Sequence, residues 1–83
     1  QAVFHLQNNF LTFFYKSGKL KAVGKYVNEL MQDEWKFYYE NGKLWQIGNF
    51  KDNQKHGNFI RYDKTGKVEY EECFDNGKLL KKN

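Results

Sequence analysis

The sequence predicts an all-β fold: consecutive antiparallel β-hairpins forming an elongated, twisted single-sheet meander. Three observations carry this reading. Gly18, Gly42 and Gly66 fall 24 residues apart and each is followed by Lys, so one small unit has been copied along the chain. Apolar residues recur at i and i+2, with glycine punctuating the chain about every ten residues, which suits strands and turns better than a helix. The composition is 19% aromatic with no proline, and aromatic side chains suit the pleated, half-buried surface of a sheet.

The repeat can be written out as units 11–34, 35–58 and 59–82, within a single repeat domain spanning 1–83. Leu11, Trp35 and Phe59 share one column; Leu20, Leu44 and Val68 share another; Tyr26, Phe50 and Phe74 share a third. Gly24 matches Gly48, whereas the third unit has Glu72 at that place. Residues 1–10 read as the remnant of a preceding unit, because Leu6 sits 24 before Leu30. With a start at Gln1 in place of Met, the chain reads as a fragment or processed product of a longer array.

Each element follows from local chemistry. Strands are expected at about 4–16, 19–27, 34–40, 43–51, 58–63 and 67–75, with a short last strand at 79–82. Inside a unit the strands turn at Gly18, at Asn41-Gly42 and at Gly66. Asn-Gly suits a type I′ turn, which needs positive φ at both central residues. That turn would pair Glu40 with Lys43, Tyr39 with Leu44, Tyr38 with Trp45, Phe37 with Gln46, Lys36 with Ile47 and Trp35 with Gly48. The ring of Trp35 would then cover the gap left by Gly48. A three-residue loop with a glycine bulge is the alternative, and it would reassign the faces. Between units a looser turn is expected: at Asn76-Gly77 in the third unit, with Asn53 in the column of Gly77, where a left-handed backbone is needed. In the first link Glu29 and Asp33 replace the expected glycines, so a different shape, such as a helical turn, is anticipated.

Several function classes are excluded by composition. The net charge of +4, from 14 Lys and Arg against 10 Asp and Glu, suits solubility and weak attraction to anions. Glu69, Glu71 and Glu72 interrupt any basic track, which argues against nucleic acid as a partner. Lys78, Lys81 and Lys82 read as a solvated tail. Cys73 is the single cysteine, so no internal disulfide forms and a reducing, cytoplasmic setting is favoured. No apolar run reaches the roughly 18–20 residues that span a bilayer as a helix. His56 has no second ligand at metal-site spacing, His5 stands alone, and no helix N-terminus or close cation activates Cys73. Asp33-Glu34 and Glu71-Glu72 are strand neighbours pointing to opposite faces, so they cannot act as an acid–base pair. No cofactor and no catalytic group is expected.

The stretches EWKFYYENGKLWQIGNF and GNFKDNQKHGNFIRYDKTGKV resemble the MORN repeat, in its bacterial variant. The likeness runs from about residue 10 onward, and includes Tyr15, Gly18, Lys19, Leu20, Gly24 and Tyr26 in the first unit. Asp63, Glu72, Glu29 and Asp33 depart from the pattern. The resemblance implies hairpins in one elongated sheet, no catalytic residues, and a role in interaction or membrane association; some bacterial relatives carry antitoxin labels. The aromatic set is the feature with functional weight, because a one-layer sheet cannot hide both faces and exposed apolar patches mark interaction sites. Trp35, Phe37 and Tyr39 are expected on one face, with Tyr38, Trp45 and Ile47 on the other, and these six form the candidate binding surface. Lys and Glu stems covering the rings are the competing arrangement. The expected role is a non-enzymatic scaffold that binds a protein partner or pairs with itself by its sheet edges. Association with anionic membrane lipids and antitoxin-like partner binding are the alternatives.

Overall fold

Two kinds of tight turn alternate along the chain and set its topology. In the computed structural model, which describes residues 4–82, the described residues form nine strands in one open antiparallel sheet. These are β1 (Phe4–Gln7), β2 (Phe10–Phe14), β3 (Leu20–Val27), β4 (Leu30–Tyr38), β5 (Leu44–Lys51), β6 (Gln54–Lys55), β7 (Gly57–Tyr62), β8 (Val68–Asp75) and β9 (Lys78–Lys82). Their spatial order is β1-β2-β3-β4-β5-β7-β8-β9, with β6 pairing on β5. The chain measures 40 × 34 × 14 Å, so it is one layer thick. Residues 1–3 of the expected leading remnant, and the side chains of Lys81 and Lys82 in the expected solvated tail, lie outside the described residues.

Inside the units the turns take the alternative form, the three-residue loop, and the tight two-residue turns lie in the links, with the expected left-handed backbone at Asn53 and Gly77. Asn41 does not take positive φ; Gly42 alone does, at 93°. The Gly42 N–H donates to Tyr39 O at 2.9 Å and the Tyr39 N–H to Lys43 O at 2.8 Å. This is the three-residue loop with a left-handed glycine at its end. Lys16–Gly18 and Lys64–Gly66 repeat it, with Gly18 at φ 92° and Gly66 at φ 99°. The expected Glu40–Lys43 pair is therefore not formed. The type I′ turns lie in the links, where both central residues have positive φ: Asn8-Asn9, Asn28-Glu29, Asp52-Asn53 and Asn76-Gly77. The first link contains no helical turn. The expected strand 4–16 is two strands, because Asn8 and Asn9 both tolerate the left-handed region and fold the chain back.

A second irregularity restores the register. Tyr38 pairs with Leu44, but Phe37 pairs with Gln46, leaving Trp45 as a bulge. Lys21 and Glu69 are bulged at the matching places in the flanking units. The glycine loop shifts the pairing by one residue and the bulge shifts it back. Trp35 consequently meets Gly48, and Lys36 meets Ile47, as expected from the sequence.

One row across the sheet holds the core. Leu6 pairs with Leu11, Leu11 with Gly24, Gly24 with Trp35, and Trp35 with Gly48; Phe59 pairs with Glu72. Large residues alternate with glycines because, within one layer, a ring gains full cover only by lying over a neighbour that has no side chain. A Cβ on Gly24 would fall inside the Trp35 ring, and one on Gly48 inside the Phe59 ring. Trp35 thus covers Gly24 of the preceding unit, and not Gly48 as expected; Gly48 is covered by Phe59. Leu11, Ala22, Trp35 and Phe59 are buried, Trp35 to 1% exposure. Burying a side chain of this class contributes about 2–3 kcal/mol, and the Trp35 Nε1–H keeps a partner in Lys25 O at 2.9 Å.

Hydrogen bonds tie successive units at both ends. The Tyr15 hydroxyl donates to Tyr38 O at 2.6 Å and the Tyr39 hydroxyl to Tyr62 O at 2.8 Å. At the links, Asn53 N–H donates to Met31 O and Gly77 N–H to Lys55 O. Every unit therefore rests on the one before it, which makes stability a sum of neighbour contacts.

Candidate functional site

The bulge at Trp45 builds the site. Bulges re-aim side chains, and this one brings the Trp45 ring to the face of Phe37, where their centroids lie 5.8 Å apart, edge to face. Tyr39 lies 6.4 Å from Trp45 and Phe37 stacks on Trp35 at 6.2 Å. Trp45 was expected on the other face; strict alternation fails at a bulge. The six expected surface residues therefore divide in three. Trp35 belongs to the core and has no ring surface to offer. Phe37, Tyr39 and Trp45 are half-buried together on what is termed here the aromatic face. Tyr38 and Ile47 lie on the reverse face, each one residue out of phase with that set.

Arg61 completes the cluster and was not singled out in the sequence. Its guanidinium lies 4.7 Å from the centroid of Trp45 and 5.3 Å from that of Tyr70. Its Nε and Nη2 donate to Gln46 Oε1 at 3.4 and 3.2 Å, which fixes the fork's orientation. A signal was present: the column Phe13, Phe37, Arg61 carries a ring in two units and the chain's one arginine in the third. Half-burial pushes the Tyr39 phenol above its ordinary pKa, with Glu69 and Asp63 adding to the rise and Arg61 opposing it. The phenol stays neutral and donates to Tyr62 O.

Cations lie over other rings of the same face. Lys55 Nζ sits 5.1 Å from the Phe59 centroid and 4.8 Å from that of Phe74, and Lys21 lies 5.7 Å from Tyr15. Phe50, Phe59 and Phe74 form an edge-to-face ladder at 5.3 Å spacing. The two arrangements weighed in the sequence thus coexist, since cationic side chains cover part of the aromatic surface and leave part open. Towards β1 the face opens into an apolar groove of about 240 Å³ lined by Phe4, Leu6, Leu11, Phe13 and Tyr26.

The expected turn residues Gly18, Gly42, Gly66, Asn76 and Gly77 all take positive φ, and Asn41 instead accepts the Lys43 N–H on its Oδ1 at 2.8 Å. His56 Nδ1 accepts the Asn76 N–H at 3.2 Å, with Asp75 Oδ1 at 3.4 Å, so it serves the last link turn. Among the described residues no three His, Cys, Asp or Glu side chains converge as metal ligands. No helix among them is long and apolar enough to cross a membrane.

The model of the MORN repeat variant matches residues 11–28, 34–52 and 55–76. No curated protein and no solved structure matches the chain. MORN repeat proteins are generally non-catalytic binding modules. The matched stretches take in most of the chain and coincide with its repeating hairpins, so the chain belongs to the family of MORN repeat variants.

Proposed function

We propose that this chain is a non-enzymatic binding scaffold whose aromatic face engages a protein partner around Phe37, Tyr39, Trp45 and Arg61. One observation carries the reading: these four side chains sit together half-buried on a sheet only 14 Å thick, with no second layer among the described residues to cover them. Rigid aromatic rings and arginine are the side chains that dominate binding energy at protein interfaces. They lose little entropy on binding, and here packing and hydrogen bonds already hold them in place. The family's repeat-based binding role agrees with this.

The test is capture of a partner by immobilised protein, comparing wild type with Trp45→Ala, Arg61→Ala and Ile47→Ala. Loss with the first two and retention with the third supports the aromatic face. Loss with Ile47→Ala alone moves the site to the reverse face. Vesicles of anionic lipid provide the second arm. Binding to them that weakens with salt and ignores Trp45→Ala would replace the protein-binding reading by membrane attachment.

A further inference from the structure

Arg61 carries a charge that its neighbours hold in place and do not neutralise. β7 runs between β5 and β8, so the Trp45 and Tyr70 rings flank the guanidinium from either side, with centroids 4.7 and 5.3 Å away. Gln46 Oε1 takes the Nε–Nη2 edge. An arginine has five N–H donors, so two are used here and three are left at the Nη1–Nη2 end. That end presents a second parallel fork, the shape that matches both oxygens of a carboxylate. Among the described residues no carboxylate lies at ion-pair distance from it. The group is half-buried, and a charged hydrogen bond strengthens as water is excluded around it.

The acids nearby set what kind of anion fits. Glu69 is bulged out of β8 and exposed, and its charge is felt at the Tyr39 phenol, where Arg61 opposes it. Glu72 stands two residues from Tyr70 and so on the same face of β8, opposite Phe59. These two carboxylates border the guanidinium without pairing to it. They repel a run of acids, or a doubly charged phosphate, more strongly than they repel one carboxylate. The open surface beside the fork is apolar, made of the half-buried rings of Phe37, Tyr39 and Trp45. The ligand that satisfies both conditions has one carboxylate with apolar side chains next to it.

We propose that the Nη1–Nη2 end of Arg61 grips a single carboxylate, the side chain of an Asp or Glu that the protein partner carries among apolar residues. This rests on the aromatic-face reading above and names the chemistry of the partner that face engages. The partner's apolar side chains cover the rings and exclude water, and the acid then meets a fork already oriented by Gln46. Little side-chain freedom is lost on binding, because the guanidinium is held beforehand. The acid also sets the place of docking. Phe13 and Phe37 fill the matching position in the other two units, so a carboxylate finds its fork in one unit alone, and a paired charge of this kind fixes register more than it adds affinity.

An array of short synthetic peptides tests this, with varied apolar flanks and a central residue stepped through Glu, Asp, Gln, Lys and phosphoserine. It is probed with the 83-residue chain at about 0.01 M salt, where charges act over about 30 Å. Anisotropy of labelled copies of the tightest binders gives Kd. Peptides centred on Glu or Asp should bind about tenfold more tightly than their Gln counterparts, and more tightly than those with phosphoserine. Arg61→Gln should erase the preference for Glu over Gln and leave the weaker apolar binding. Glu69→Gln removes an exposed repelling charge and should tighten the Glu peptide about twofold without moving the Gln peptide. The Glu–Gln difference in the wild type and its growth in Glu69→Gln decide the matter even if Arg61→Gln misfolds. Equal binding of Glu and Gln peptides, preference for phosphoserine, a Glu preference that survives Arg61→Gln, or no bound peptide at all overturns the carboxylate grip. Where Trp45→Ala still abolishes the apolar binding, the aromatic-face reading stands without the grip; binding that survives Trp45→Ala overturns both.

Discussion

Trp35 and Gly24 form one packing unit: the indole carried by β4 occupies the volume that a side chain on β3 would need. Phe59 and Gly48 repeat it one unit later. A one-layer sheet has no opposing layer to press against, so its core is made laterally, each ring sealed over the glycine of the unit before it.

Gly24→Ala and Gly48→Ala should each lose about 3 kcal/mol, since the added methyl must displace a packed ring. Gly42→Ala should lose only about 1 kcal/mol, the cost of a left-handed non-glycine residue, because nothing lies within 4 Å of its Cβ position. Urea unfolding measures all three. Combining Gly24→Ala with Trp35→Leu should cost less than the two separate losses together, as expected for residues that share one space. Equal losses at Gly42 and Gly24 would count against lateral packing.

Glu29 offers a stabilising change. It holds φ at 67° in the second place of a type I′ turn, where the last link has Gly77 at 88°. A left-handed backbone costs a residue with a Cβ about 1–2 kcal/mol and costs glycine almost nothing. Glu29→Gly should therefore raise the stability by about 1 kcal/mol, read as a higher urea midpoint with unchanged slope. Gly77→Glu should lower it by a similar amount. A neutral result for both would mean that the surrounding strands, and not the turn residues, set the conformation.

The fold class was legible because it rests on column identity, which the repeat displays three times over. The turn types were not, although the distant register was. Asn41-Gly42 satisfies a type I′ turn and a glycine-ended loop alike, and what separates them is the bulge at Trp45, which depends on cross-strand packing that no local pattern records. Two offsetting shifts left Trp35 opposite Gly48, while Trp45 changed faces. The candidate surface was correspondingly mixed: Phe37 and Tyr39 lie where alternation puts them, Trp35 is withdrawn into the core by its neighbouring glycine, and Arg61 was visible only as the odd member of a ring column. The links are similar. The expected strand over 4–16 ran through Asn8-Asn9, although two asparagines tolerate positive φ, and Asn28-Glu29 gave no such signal, because glutamate rarely holds positive φ.

Asp63 gives the third turn an acid sensitivity that the other two lack. It takes the place of Tyr15 and Tyr39 and accepts from the Thr65 hydroxyl at 2.6 Å, the Thr65 N–H at 2.8 Å and the Lys67 N–H at 3.0 Å. These bonds, the Thr65 hydroxyl foremost, hold its carboxyl below the ordinary value of 3.8. The folded form thus binds this proton less readily than the unfolded form. The resulting stabilisation is complete above the unfolded value and is lost as pH falls through the lower folded one. Asp63→Asn keeps an acceptor oxygen but does not titrate, so its stability should fall less steeply below about pH 4 than that of the wild type. Thr65→Val should narrow that difference. Parallel acid limbs for wild type and Asp63→Asn would show that the turn carries no such linkage.

The two tryptophans report separately on core and site. Trp35 is 1% exposed, whereas Trp45 is half-buried beneath the Arg61 guanidinium. Acrylamide should quench the wild-type emission in two fractions, and Trp45→Phe should leave a single blue-shifted, poorly quenched one. Arg61→Ala should open Trp45 to the quencher while leaving Trp35 untouched, at a stability cost of about 1 kcal/mol for the lost stacking. Arg61→Lys should not restore protection, because an ammonium group lacks the flat surface that lies over the ring and the fork that holds Gln46. Protection restored by lysine would show that charge alone organises this part of the face, and the preformed arginine–aromatic arrangement assigned to partner binding would lose its physical basis.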